Sequence, residues 1–328
     1  MTAAAGEKRV AQALEHALRE TFPAVQFSMA YGSGVFAQND HDASTSLLDL
    51  VFAVDDPVAW HEANLARNRH HYSFLKHLGA QGVADFQENY GAGIYYNTLV
   101  PLQSKALGTR LIKYGVVSSK TLCADLYDWK TLYLSGRMHK PVHFLSSNKQ
   151  IRTAGSANLT HALHYALLCL PEKFSEMDLF MRIAGISYLG DFRMTFGENP
   201  KKVRNIVDGN FDAFQQLYAN KIKNSPFVSR SLSDSSLLVA NTLDHRVHQT
   251  LLESMPANVL QRMQKSKSFD VTMTDRKGTK KHVQRAVASI VNRYSRTQSI
   301  KGIATAGAVK TVQYVAQKLQ RTYFKKVK

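Results

Sequence analysis

Hydrophobic and polar positions follow two periods along this chain, and the switches between them mark its elements. A helix is predicted over Lys8–Glu20, ending before Pro23. Val25, Phe27 and Met29 then alternate with small or polar residues, which reads as a strand running into Tyr31-Gly32-Ser33-Gly34-Val35-Phe36. Leu47–Val54 reads as a second strand, an apolar run interrupted by one carboxylate, Asp49. Helical patterning follows from Pro57 to Leu78. Leu111–Val117 and Leu132–Leu145 read as further strands, with a helix between them over Leu122–Trp129. Strand signals fade beyond Ile151. Asn158 is a candidate cap for a helix that runs to Leu170 and stops at Pro171. Ser175 with Asp178 three residues on is a capping-box variant before a helix over Leu179–Tyr188. The pattern predicts an α/β (α+β) chain in three parts. Residues 1–150 carry the strands. Residues 151–264 are mostly helical, with a winged helix as the candidate architecture. Residues 265–328 hold a basic loop, mobile over Lys265–Lys281, and a C-terminal amphipathic helix.

That last helix changes the picture. Val309, Val312, Ala316, Leu319, Tyr323 and Val327 recur at steps of three or four and form one stripe, with Lys310, Lys318, Arg321, Lys325 and Lys328 roughly opposite. Of 42 Lys and Arg, 14 fall in residues 276–328, where there is no Asp or Glu, whereas the remaining 28 are nearly balanced by 25 acids. The formal net charge of +17 is therefore mostly a property of the tail. Its partner is expected to be an anionic surface. An apolar stripe under a cationic face fits an anionic membrane interface better than nucleic acid, which does not require the stripe. Val312, Lys318, Leu319, Arg321, Tyr323 and Lys325 are the expected membrane-binding residues. Two cysteines, Cys123 and Cys169, exclude a disulfide scaffold and read as buried thiols. No apolar run approaches the ~20 residues a membrane span needs. Glu7, Glu15 and Glu20 argue against an intact organellar presequence at the start of this chain.

The candidate chemistry lies in Gly32-Ser33-Gly34 at a strand end and Asp49 in the next strand. A glycine turn lets backbone N–H groups approach phosphate oxygens, and a serine hydroxyl adds a donor. A carboxylate in an apolar strand is costly unless it is paired or holds a metal. The pair resembles the nucleotidyltransferase fold, whose signature is a Gly-Ser turn followed by an acid-apolar-acid strand. The position of the second acid is Val51 here, so Asp55, Asp56 and Asp191 become candidates for a further ligand, the first two also reading as solvated turn residues. There is no P-loop, dinucleotide turn or nucleophile elbow. His61, Asn64 and Asn68 share one helix face, followed by His71, without a zinc-ligand pattern. That face reads either as contacts to base or phosphate, or as local capping.

A longer resemblance covers most of the chain, in order. Tyr31-Gly32-Ser33-Gly34-Val35-Phe36, Leu48-Asp49-Leu50-Val51-Phe52-Ala53-Val54 and Trp60-His61-x-x-Asn64-x-x-x-Asn68-x-x-His71-Tyr72-Ser73 are similar to motifs of the Tam41 family. So are Ile112-Lys113-Tyr114-Gly115-Val116-Val117, Leu132-Tyr133-x-x-Gly136-Arg137-x-x-Lys140-Pro141, Gly190-Asp191-x-Arg193-Met194, Ser299-Ile300-Lys301-Gly302-Ile303 and Thr305-Ala306-Gly307. In that family a single-acid strand is normal.

The resemblance implies a nucleotidyltransferase domain and a phosphatidate cytidylyltransferase: CTP and phosphatidic acid give CDP-diacylglycerol, a cardiolipin and phosphatidylglycerol precursor, and pyrophosphate. It implies Mg²⁺ held by Asp49, a triphosphate cradle at Gly32, Ser33 and Gly34, and phosphate contacts from Lys113, Arg137 and Lys140. Tyr114, with His61 and Asn64, is a candidate nucleotide contact, core packing being the alternative for Tyr114. Asp191 is expected as a third catalytic acid rather than as a helix-end ion pair with Arg193. The expected location is peripheral: the matrix side of the mitochondrial inner membrane in a eukaryote, or the cytoplasmic face of the plasma membrane in a bacterium. An RNA or tRNA nucleotidyltransferase and a non-catalytic membrane assembly factor are the competing readings. No nucleic-acid partner is expected on the leading one.

Overall fold

The computed structural model describes residues 3–32, 34–35, 47–104, 108–194, 199–234, 236–240, 244–266, 269 and 276–306. In chain order the elements are α1 (Ala3–Thr21), β1 (Phe27–Tyr31), β2 (Leu48–Val54), α2 (Pro57–Asn68), α3 (Gly79–Asn89), β3 (Ile94–Ser104), β4 (Gly108–Ser118), α4 (Ser119–Asp128), α5 (Ser135–Met138) and β5 (His143–Ser146). They continue as α6 (Lys149–Cys169), β6 (Lys173–Ser175), α7 (Glu176–Gly185), α8 (Lys202–Asp208), α9 (Phe211–Lys223), β7 (Val228–Arg230), β8 (Leu237–Ala240), α10 (His245–Glu253), α11 (Ala257–Gln264) and α12 (Arg276–Ala306). The chain is α+β, as its patterning predicts.

Contacts divide the chain into two units that interleave along the sequence. The first comprises residues 1–122, 142–151 and 297–328; the second comprises 123–141 and 152–296. Residues 123–141 group with the second unit because Trp129 and Leu132 are buried in its core beside Tyr165 and Phe180.

The first unit is built on a five-stranded mixed sheet in the order β3-β4-β2-β1-β5. β2 runs parallel to β4 and antiparallel to β1. One face carries Leu48, Leu50, Phe52, Ile112, Tyr114 and Val116, and these pack with Leu14, Leu18 and Phe22 of the α1 region. Side chains alternate along a strand, so Asp49, Val51, Lys113 and Gly115 take the opposite face. Asp56 caps α2, accepting from the N–H groups of Val58 and Ala59 (2.9 and 3.0 Å), and Pro57 opens the helix. The pattern over Pro57–Leu78 resolves into α2 and two 3₁₀ turns, Arg69–His71 and Phe74–Leu78.

The second unit is mostly helical around one large apolar core, with a three-stranded antiparallel sheet in the order β6-β8-β7. Those strands are three or four residues long, too short to register as a periodic signal. The capping box forms at Ser175 and Asp178. Both cysteines are buried free thiols. Arg276–Lys281, expected within a loop, is the start of α12.

Two expectations fail here for one local reason. Leu132–Leu145 is strand only at its end, from His143, where β5 begins, and Asn158 caps nothing. The Asp125 carboxylate is buried and accepts from the backbone N–H groups of Thr131, Leu132, Leu134 and Ser135 and from the Thr131 hydroxyl, at 2.7–3.0 Å. It winds the chain into a tight loop in which Trp129 and Leu132 take positive φ of 50° and 55°. Asn158 lies inside α6, buried, accepting from the Trp129 indole (2.8 Å) and His139 Nε2 (2.9 Å) and donating to the Ser135 carbonyl (3.0 Å). Asp125→Ala would orphan four buried N–H groups. It should cost about 3 kcal/mol or more, measurable by denaturant unfolding, whereas substitution at exposed Asp55 should stay within about 0.5 kcal/mol.

Candidate active site

Strand register assembles the site. Asp49 lies opposite Tyr31 of β1 and Lys113 of β4, so these three form one row across the sheet. The Lys113 ammonium stands 3.8 Å from an Asp49 carboxylate oxygen, and both side chains are half-buried. Lys113 also lies 4.5 Å over the Tyr96 ring, and the Tyr96 hydroxyl is 3.4 Å from that of Tyr31. Tyr96 can lie there because its neighbour on β4 is Gly115: a Cβ at that position would come 2.6 Å from Tyr96 Cε1 and Ile94 Cδ1.

The glycine turn closes the row at the strand end. Gly32 has φ of +79°, and the Val35 N–H donates to the Gly32 carbonyl (3.1 Å) across the turn. A Cβ at Gly32 would point at Asp49, 3.5 Å from Oδ2. A Cβ at Gly34 would sit 2.6 Å from the Leu47 carbonyl, so only glycine lets the turn press against the start of β2. Ser33 lies outside the described residues. The result is a carboxylate and an ammonium side by side at the mouth of a glycine turn, able to hold a cation and an anionic oxygen together. Val51, the missing second acid, is fully buried on the same face as Asp49. No cluster of three metal-ligating side chains occurs among the described residues. A metal at Asp49 would need phosphate oxygens and water for the rest of its shell, which Mg²⁺ tolerates.

His61, Asn64 and Tyr114 lie on the other side of the sheet, and the expectation that they contact nucleotide is corrected. All three are fully buried, and their polar atoms engage one another and their neighbours. Tyr114 donates to His71 Nδ1 (3.1 Å) and accepts from the amides of Asn97 (2.8 Å) and Asn64 (3.1 Å). Tyr72 accepts from Asn64 (2.8 Å) and donates to His61 Nδ1 (2.8 Å), while His61 Nε2 donates to the Gln87 side chain (2.9 Å). Asn68 closes the network, donating to Asn64 (2.8 Å) and to the Thr21 carbonyl (2.9 Å). The shared helix face was legible, but it points inward. Its work is to fix the backbone of β4 behind Lys113. Burial pushes the Tyr72 and Tyr114 hydroxyls well above their usual range and the His61 ring down to about 4.

Arg137, Lys140 and Asp191 gather in the second unit. The Arg137 guanidinium donates to the Tyr133 carbonyl and stacks 3.9 Å over the Tyr133 ring. Lys140 donates to the Gly136 carbonyl (2.6 Å) and the Ser187 hydroxyl (2.8 Å), and lies 5.2 Å from the Tyr188 ring. Burial, then the charges of Arg137 and Lys202, bring the Lys140 ammonium down to about 7. Crowded cations of this kind favour an anionic ligand. Lys202, 5.5 Å from the Tyr188 ring, is a member that sequence reading missed, its signal being no more than a Lys pair on a helix start. Asp191 is paired with its near neighbour. Its carboxylate takes a bidentate bond from the Arg193 guanidinium (2.6–3.1 Å) and one from the Arg193 N–H (3.0 Å), and it is almost fully buried. This is the geometry of the helix-end ion pair, the alternative to a third catalytic acid. The tail residues Val312, Lys318, Leu319, Arg321, Tyr323 and Lys325 lie outside the described residues.

Comparison with known proteins accords with this geometry. Residues 14–321 match the family model described as mitochondrial phosphatidate cytidylyltransferase. A protein of that name from Danio rerio is 43% identical over 318 residues, covering 90% of each chain. One from Xenopus laevis is 43% identical over 312 residues, again 90% of each. One from Schizosaccharomyces pombe is 36% identical over 319 residues, 90% of this chain and 80% of the relative.

Two stability effects should follow from the buried network. Tyr114→Phe removes the acceptor shared by Asn64 and Asn97 and should cost about 2–4 kcal/mol in denaturant unfolding. His61 is held neutral, so the unfolded chain binds its proton first as pH falls. Its contribution should be complete above about pH 6.5 and be lost progressively toward pH 4, roughly 3 kcal/mol in all. A His61→Gln variant, compared at pH 7 and pH 4.5, should show a smaller acid-induced loss than the parent.

Proposed function

The chain belongs to the mitochondrial phosphatidate cytidylyltransferase family, and from that premise we propose that it transfers the cytidylyl group of CTP to phosphatidate, releasing pyrophosphate and forming CDP-diacylglycerol. The observation that carries this reading is the Asp49–Lys113 pair, 3.8 Å apart, beside the turn at Gly32 and Gly34. The relatives' shared name favours a lipid phosphate acceptor over RNA, and favours an enzyme over a non-catalytic assembly factor.

In this mechanism a phosphate oxygen of phosphatidate bonds to the α-phosphorus of CTP as the bond to the β-phosphate bridging oxygen breaks. The nucleophile is a phosphate monoester, already largely ionised near neutral pH, so no protein base is required. Positioning and charge neutralisation are what the chain supplies. The turn at Gly32–Val35, with the Ser33 hydroxyl, cradles the triphosphate. Lys113 neutralises a phosphate oxygen and is steered by Asp49 and by the face of Tyr96. Asp49 is the residue that would hold Mg²⁺, which when bound screens the charge that builds on the leaving pyrophosphate. Arg137 and Lys140 receive a phosphate of CTP or of the lipid.

We also place the protein in the mitochondrion, peripherally on the matrix side of the inner membrane, with residues 309–328 as the anionic-surface anchor. The relatives' names support the organelle. No helix among the described residues is long and apolar enough to cross a membrane. The tail's charge and apolar stripe support the anchor.

Asp49→Ala should reduce CDP-diacylglycerol formation from CTP and phosphatidate roughly a hundredfold or more, with unchanged thermal unfolding; near-parental turnover would refute the assignment. Ser33→Ala removes one donor but keeps the turn. It should lower kcat/KM for CTP by the equivalent of about 1–3 kcal/mol. Unchanged kinetics would leave the cradle to backbone N–H groups alone.

A further inference from the structure

Nine large apolar side chains stand exposed among the described residues. Five of them, Phe74, Leu78, Tyr90, Ile300 and Ile303, are 55–69% exposed and belong to segments of the first unit that are pinned to one another. The Ser73 hydroxyl donates to the Ala304 carbonyl (3.2 Å), which sets Phe74 beside the turn that carries Ile303. The Lys301 ammonium donates to the carbonyls of Gln87 and Tyr90 (2.7 Å each), capping the end of α3 and bringing Tyr90 against the root of Ile300. Gln298 accepts from the Ala92 N–H (2.9 Å) and donates to the Ile94 carbonyl (3.3 Å). On α12, Gln298, Lys301 and Thr305 are therefore the buried face, and Ile300 and Ile303 point away from it.

The charge around this face is predominantly positive, with Asp85 and Glu88 of α3 as its acids, Glu88 acting on Lys301. Residues 63–84 contain Arg67, Arg69, Lys76 and three histidines and no acid, and residues 276–306 contain no acid either. Six residues after Ile303 begins the stretch 309–328, with its own apolar stripe, six cations and no acid. An apolar patch with more cations than acids around it, continuous in sequence with a basic amphipathic stretch, matches an anionic lipid surface in both terms of its chemistry.

We propose that Phe74, Leu78, Ile300 and Ile303, with Tyr90 at the rim, form a second membrane-contact face on the folded body of the protein. The tail tethers; this face inserts and sets the orientation of the first unit against the bilayer. Lys301, Gln298 and Ser73 are positioning residues that hold its two halves in one plane. The inference rests on the proposed function only for the lipid nature of the substrate.

The test uses the full-length chain, with phosphatidylcholine vesicles made with and without phosphatidate. Phe74→Trp and Ile303→Trp report insertion directly, since Trp60 and Trp129 are buried. Each new tryptophan should shift to the blue with vesicles and be quenched by lipids brominated on the acyl chains. Phe74→Glu with Leu78→Glu, and Ile300→Glu with Ile303→Glu, should each weaken partitioning roughly tenfold or more, even at salt high enough to screen the tail. Melting temperature should be unchanged, because the replaced side chains are exposed. Turnover of a short-chain phosphatidate dissolved as monomers should stay at the parental level, while turnover in vesicles falls. Unquenched tryptophans with parental partitioning overturn the proposal. So does a shift from dimer to monomer in sedimentation with parental partitioning, which assigns the face to a second copy. Altered hydrogen exchange over 307–328 alone also overturns it, because the tail then covers the face. If the parent makes no product from the soluble lipid, the functional reading fails, and the vesicle result still decides the face.

Discussion

The parallel pairing of β2 with β4 is the constraint on which the candidate site depends. It sets Asp49 level with Lys113, and the antiparallel partner β1 brings Tyr31 and the glycine turn to the same end. Neither strand can slip by one residue without turning Asp49 and Lys113 into the apolar layer under α1 and lifting Leu48 and Ile112 out of it. Burial of one face thus holds the polar geometry of the other. The hydrogen-bonded network around Tyr114 reinforces this from behind, because it fixes the residue next to Lys113 to α2, to β3 and to the turn at His71.

Much of this was legible in the sequence, for identifiable reasons. β2 announced itself as an apolar run with a single carboxylate, and the turn before it as two glycines around a serine. The helix face of His61, Asn64 and Asn68 was visible from spacing alone. Its direction was not, because its partners Tyr72, Gln87 and Tyr114 come from three other segments. β3 escaped notice because Pro101 and a register shift between Asn97 and Val100 break its alternation. Tyr96, the aromatic platform of the site, was lost with it. Asp191 shows the opposite case. Its partner Arg193 is two residues away and in plain view, and the structure pairs the two. Asp125 gave no warning, since a carboxylate that gathers backbone N–H groups across a loop has no periodic signature.

The two basic regions differ in kind. Lys113 is held by a carboxylate and an aromatic face and is poised to exchange partners with a ligand. Lys140 is sequestered with a carbonyl and a hydroxyl among other cations, where its charge is costly without an anion nearby. Both arrangements favour phosphate oxygens, the first by direct pairing and the second by relief of crowding. A chemistry that moves a phosphoryl-type group between two polyanions has use for both.

The interleaving of the two units has a consequence for how the protein is made. Lys301 caps the end of α3 from 214 residues downstream of Gln87, and Gln298 braces the backbone at Ala92 and Ile94 from a similar remove. A chain emerging from the ribosome N-terminus first lays down the whole sheet of the first unit, then must complete nearly all of the second before that clasp exists. Until then the α3 carbonyls at Gln87 and Tyr90 depend on water, and the sheet waits for an element more than a hundred residues away. Contacts this distant in sequence slow folding and prolong the exposure of apolar surface. The nascent chain therefore has a long window in which apolar surface is exposed, and truncations near the C-terminus strike at the unit that was synthesised first.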